Sequence, residues 1–137
     1  MSGLSIEAFA EWLESYGRAS REDDAAASAA LFADDAEYYE SPFHAAVAGR
    51  AAILKYWEEG AGRFTDKHTS FEIFAVSGNR GIARWRAQIT DRQSGQPAAL
   101  DCVFVVDFDA TGNCRLFQEW WHSQKLSVDS QPSPKPP

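Results

Sequence analysis

Apolar positions near the start of the chain recur every three or four residues. Ile6, Phe9, Leu13 and Tyr16 mark one face of a helix over 6–18, with Ser5 placed to cap it and Glu7 in its first turn. Ser20 followed by Asp23 resembles a weakened capping box, which predicts a second helix through AAASAALF, ended by the pair Asp34-Asp35. The next stretch, AEYYESPF over 36–43, alternates, is rich in aromatics and stops at Pro42, so it reads as a strand. A third helix, RAAILKYWEE, starts after Gly49 and closes at Gly60 and Gly62.

The period then changes to two. HTSFEIFAVS, IARWRAQITDR, ALDCVFVVDFD and CRLFQEWWHSQ all read as strands, and the connections SGNRG, QSGQP and ATGN carry the Gly or Asn that tight turns require. Neighbouring strands joined by hairpins make an antiparallel meander. Helices first and strands later predict an α+β domain with the helices on one face of a sheet, over residues 1–125. Residues 126–137, rich in proline, are expected to be an extended arm without core residues.

Strand parity sorts the faces. Ala83, Trp85, Ala87 and Ile89 lie on one side of their strand, opposite Arg84, Arg86, Gln88 and Thr90. The following strand is apolar on both sides: Cys102, Phe104, Val106 and Phe108 on one, Val103 and Val105 on the other. In the last strand Phe117, Glu119 and Trp121 share the inner side, and Trp120 and His122 point outward. Three helices cover one face of such a sheet. Two covers are open for Val103, Val105, Trp120 and His122: a second copy of the chain, or the proline-rich arm folded back.

Composition narrows the function classes. A net charge of −7 repels phosphate backbones and anionic membrane surfaces, and no apolar run is long enough to span a bilayer. The start, MSGLSIEAFAEW, lacks the pattern of a signal peptide, and two cysteines, Cys102 and Cys114, do not make a disulfide framework; together they predict a cytoplasmic protein.

Candidate chemistry rests on a few side chains. Glu40 lies on the same side of its strand as Tyr38, where a core residue belongs. Either it sits at a wet rim and bonds a loop amide near Pro42, or it projects into an apolar cavity. In a cavity, lost hydration would raise its pKa toward the range useful to a general acid or base. Tyr16 is either a core residue with a satisfied hydroxyl or a donor to a developing oxyanion. Glu119, between Phe117 and Trp121, needs a partner or a proton: an arginine, or a proton shared with Glu40. Tyr38, Trp57, Phe74, Trp85, Cys102, Phe104, Phe117 and Trp121 would line a cavity or fill it, and His44, close after Glu40, could reach its mouth. The histidines show no metal-ligand spacing, and no P-loop, dinucleotide fingerprint or GxSxG is present, so no metal or cofactor is expected.

The run ALFADDAEYYESPFHAAVAGRAAILKYW, together with the ending DFDATGNCRLFQEWWH, resembles the nuclear transport factor 2-like superfamily, also met as SnoaL-like domains. The resemblance implies a cone: a strongly curved antiparallel sheet with three N-terminal helices on its concave face, commonly dimeric through the sheet. Set beside the ketosteroid isomerases, Tyr16 falls at the oxyanion tyrosine, Glu40 at the carboxylate base and Trp57 at a supporting tyrosine. Phe104 falls where those enzymes hold a protonated aspartate, so that half of the oxyanion site is missing. SnoaL cyclases rely on an acid late in the sheet, a part Glu119 could take. The expectation is a pocket for a small, mostly apolar molecule and cofactor-free acid/base catalysis of isomerase, dehydratase or cyclase type. The alternative is a non-catalytic ligand-binding or dimeric interaction module.

Overall fold

The computed structural model describes residues 3–127. Its elements are α1 (Ile6–Glu22), α2 (Ala25–Ala29), β1 (Phe32–Tyr39), β2 (Val47–Ala48), α3 (Arg50–Gly60), β3 (Phe64–Ser77), β4 (Arg80–Asp91), β5 (Pro97–Phe108) and β6 (Cys114–Lys125). The strands form one six-stranded sheet in the order β2-β1-β6-β5-β4-β3. β3 to β6 make the expected antiparallel meander. β1 pairs with β6 in parallel, so the curved sheet is mixed, and the helices pack on its inner face.

α1 begins where expected, with the Ser5 hydroxyl accepting from the Ala8 amide at 3.0 Å. It runs on to Glu22 because Asp23 takes a left-handed conformation (φ 54°) and returns its N–H to the Ala19 and Ser20 carbonyls. Lys67 Nζ then fixes that corner by bonding Asp23 Oδ1 at 2.5 Å. The buried stripe is Phe9, Trp12, Leu13 and Tyr16. Ile6, expected on that stripe, is 60% exposed, ahead of the first turn that meets the sheet.

Two boundaries differ from the sequence reading for one reason. α2 ends at Ala29, and the segment containing Asp34-Asp35 is already strand β1. The Leu31 carbonyl accepts from the Cys114 amide and from Trp12 Nε1, and Phe32 pairs with Cys114. Pairing with a strand from the far end of the chain thus overrides the local helix signal. β1 consequently starts and stops earlier than expected, and Glu40 lies just past its end, in a bend.

The core is aromatic. Phe104 and Phe117 meet edge-on at 4.7 Å, Trp85 stacks on Phe104 at 5.1 Å, and Tyr16 sits among all three. Gly81 lets α1 approach β4: a Cβ there would stand 2.4 Å from the Phe9 ring. Phe74 does not join this core. Alternation sets it opposite Phe71 and Ile73, which pack inward, and it is 53% exposed; the register shift between Ile73 and Ala75 then brings Val76 to the inner side.

On the outer face Val103 and Val105 are half-buried and Trp120 is 44% exposed. Ion pairs flank them, with Arg84 forked onto Asp101 at 2.9 and 2.6 Å and Arg80 onto Asp107 at 2.6 and 2.9 Å. Of the arm expected over 126–137, Leu126 and Ser127 are described, and the Leu126 amide donates to the Pro97 carbonyl at 2.9 Å. The rest of that arm lies outside the described residues.

Candidate functional site

A cavity of about 420 Å³ opens between the helices and the inner face of the sheet. Two helices and five strands contribute to its wall. Tyr16 comes from α1, Tyr38 from β1, Tyr56 and Trp57 from α3, Trp85 from β4, Cys102 and Phe104 from β5, and Glu119 from β6. Ser20, Asp23, Arg63 and Lys67 form a polar edge. A larger groove of about 800 Å³ runs past Ser70, Arg86, Asp101 and His122 on the outer side of the strands and holds none of the candidate acids or tyrosines.

The Tyr16 and Tyr38 hydroxyls lie 3.3 Å apart at the buried end of the cavity, and either can donate to the other. Burial pushes both phenols well above their ordinary pKa, and the charge of Glu119 pushes in the same direction. Both are therefore neutral donors. Because the pair needs only one proton for its internal bond, one O–H remains for an acceptor in the cavity.

Glu119 reaches the cavity because parity in β6 turns it inward, directly across from Phe104 on β5. Burial pushes its carboxyl up to about 7, the neighbouring Cys102 thiol pulls the value down, and the negative charge of Glu40 adds to the rise. Cys102 is pushed up by burial and by Glu119, which leaves a neutral thiol.

Glu40 lines the cavity from its mouth, as an exposed residue rather than one enclosed in apolar surroundings. The carboxyl enclosed by the apolar wall is that of Glu119. The parallel register explains why the two acids feel each other: Tyr39 pairs with Gln118, and Glu40, just past the end of β1, and Glu119, in β6, are the next residues of the two segments. Burial pushes the Tyr56 phenol up, and the nearby carboxylate of Glu40 pushes in the same direction.

Tyr16, Tyr38, Trp57, Trp85, Cys102, Phe104, Glu40 and Glu119 thus share one cavity. Four other candidates stand apart from it. Phe117 is fully buried beneath the wall, against Tyr38 at 4.8 Å. Trp121 is 48% exposed near the free end of β6, with Nε1 bonded to the Glu40 carbonyl at 3.2 Å. His44 is exposed on the loop after Glu40, and Phe74 lies outside, as described. Tyr56 is the contributor the sequence reading passed over. Its signal was available: Ile53, Tyr56 and Trp57 stand at i, i+3 and i+4 on α3, one helical face. Among the described residues no group of three or more His, Cys, Asp or Glu side chains is arranged to hold a metal ion.

Comparison with known proteins agrees with this fold. The SnoaL-like domain family matches residues 9–116. The steroid Delta-isomerase of Nocardioides simplex is 32% identical over 96 residues, which cover 70% of this chain and 75% of that one. The crystal structure of Delta 5-3-ketosteroid isomerase from Mycobacterium sp. superposes with a TM-score of 0.73 at 19% identity, covering 87% of this chain and 98% of that one. SalBIII, an epoxide hydrolase/cyclase-like enzyme of pyran ring formation in salinomycin, superposes with a TM-score of 0.70 at 18% identity, covering 82% and 88%. At those identities the two solved structures speak for the fold. The chain belongs to the SnoaL-like domain family, within the nuclear transport factor 2-like superfamily, and is related to the steroid isomerases.

Proposed function

We propose that the cavity takes a small, mostly apolar carbonyl compound and moves a proton within it, without a cofactor, in an isomerisation. Glu40 removes a proton from the carbon beside the carbonyl. The C–H electron pair moves into the carbonyl as an enolate, and the same proton returns at a conjugated carbon. The charge that develops on oxygen is met by the free O–H of the Tyr16–Tyr38 pair and by the protonated carboxyl of Glu119. Glu119 thereby supplies, from the neighbouring strand, the acidic donor that is missing at Phe104, its cross-strand partner. Dehydration and cyclisation use the same groups on other substrates.

The observation that carries this reading is the convergence of two acids and a hydroxyl pair on one mostly apolar cavity. Its test is the appearance of conjugated-enone absorbance from β,γ-unsaturated ketones, steroidal and smaller. Glu40→Gln should abolish turnover and keep product affinity. Binding without turnover in the unaltered protein would sink the catalytic reading and leave a binding module.

We also propose that the outer sheet face, around Val103, Val105, Trp120 and His122, pairs with a second copy of the chain. The half-buried valines and the exposed Trp120 support it. Sedimentation should give a dimer that Trp120→Glu breaks; a monomer in the unaltered protein would refute it. Both cysteines are buried and free, which fits a reducing, cytoplasmic setting.

A further inference from the structure

The inner face of a sheet is an unfavourable place for a lysine, and Lys67 is on it. It shares that side of β3 with Thr69, Phe71 and Ile73, beside an irregularity between Thr65 and His68 in which Asp66 is left-handed (φ 51°). Its side chain is 10% exposed and lines the same cavity as Tyr16 and Tyr38.

Lys67 Nζ donates to the Ser20 carbonyl, near the end of α1, and to Asp23 Oδ1 at 2.5 Å. An ammonium has three N–H groups, and a carboxylate has two oxygens. Among the described residues no further hydrogen bond meets the third N–H or Asp23 Oδ2. Asp23 lines the cavity as well. A buried ion pair adds little stability over apolar side chains of the same volume, so closing the end of α1 leaves half of this pair unused.

We propose that the Lys67–Asp23 pair is a second subsite of the cavity and recognises a hydroxyl at the far end of the substrate. This rests on the reading of the cavity as a ketone site. The pair offers a donor and an acceptor side by side. A hydroxyl oxygen accepts from Lys67, and its O–H donates to Asp23 Oδ2. An ether or a carbonyl makes only the first of these bonds, and a carboxylate would lie against the charge of Asp23. Asp23 follows Tyr16 by seven residues, ~10 Å along the helix axis. The substrate class is therefore a hydroxy ketone whose two oxygens stand at opposite ends of a rigid frame of fused rings.

The test is binding to the full-length protein, read by quenching of tryptophan fluorescence, since Trp57 and Trp85 line the cavity. The probes are three steroidal enones that differ only at the ring farthest from the ketone, which carries a hydroxyl, a methyl ether or hydrogen. The hydroxyl compound should bind roughly tenfold tighter than either of the others. Asp23→Asn tolerates the left-handed backbone and turns the free acceptor into a donor; the margin of hydroxyl over ether should fall to about twofold or less. Lys67→Met should narrow the margin of hydroxyl over hydrogen, and if it fails to fold, Asp23→Asn decides alone. Equal dissociation constants for the three probes, no binding by any of them, or an unchanged margin in the variants would overturn the proposal and leave the pair as a helix cap. Failure of the isomerase reading is distinct: the margin persists while β,γ-unsaturated ketones stay unconverted.

Discussion

The hydroxyls of Tyr16 and Tyr38 stand 3.3 Å apart, bringing α1 and β1 together at the buried end of the cavity. Neither position is interchangeable with the other. Tyr16 also packs against Trp57, Trp85 and Phe104, at the centre of the cavity wall, while Tyr38 approaches from the side that leads to Glu40.

Tyr16→Phe should lower kcat by roughly 10²-fold, the scale of losing one oxyanion donor. Tyr38→Phe should lower it less, because Tyr16 keeps its proton for the substrate. Each removal should also cost about 1 kcal/mol of stability, since the remaining hydroxyl is left buried without its partner. Steady-state kinetics and urea unfolding of the two variants check this, and equal losses in kcat would contradict the assigned roles.

Glu119 should make stability fall with rising pH. Its folded carboxyl is held at about 7 against an ordinary 4.5, so the folded protein keeps a proton that the unfolded chain has released. Stability from this group is fully present below about 4.5 and is lost as pH rises through about 7. The loss amounts to at most about 3 kcal/mol. Glu119→Gln should flatten that slope in denaturant midpoints measured from pH 4 to pH 9. The same ionisation removes a donor, so kcat should decline above about 7 in the unaltered protein and lose that limb in Glu119→Gln.

Gly81→Ala should destabilise the fold by about 1–3 kcal/mol, the usual range for overpacking. The added Cβ would meet the Phe9 ring at 2.4 Å, and Phe9 is fully buried against the sheet. The paired change Gly81→Ala with Phe9→Leu should recover part of the loss. Thermal melts of the single and double variants supply the measurement.

The long strands were legible because each carries its own alternation and its own turn. Trp85, Phe104 and Phe117 lie inward as parity requires. The mixed character of the sheet was not legible, since nothing local in FADDAEYY names a partner found at Leu116 and Phe117. Depth was equally hidden. Parity puts Glu40 and Glu119 on the cavity side but is silent on how far each lies from the opening, so the enclosed acid was sought at Glu40 and found at Glu119. Phe74 shows a different limit: alternation with Phe71 and Ile73 already turns it outward, and aromatic character alone does not place a ring in the cavity.

The parallel seam between β1 and β6 also sets an order of events during synthesis. Tyr38 finds Phe117 only after almost the whole domain has left the ribosome, because three hairpins separate them in the chain. A nascent polypeptide halted before Cys114 holds its helices and the strands β3 to β5, yet it lacks β6 and with it Glu119. Completion of the cavity is thus the closing act of folding, and loss of the final strand would erase it while sparing the helices made first.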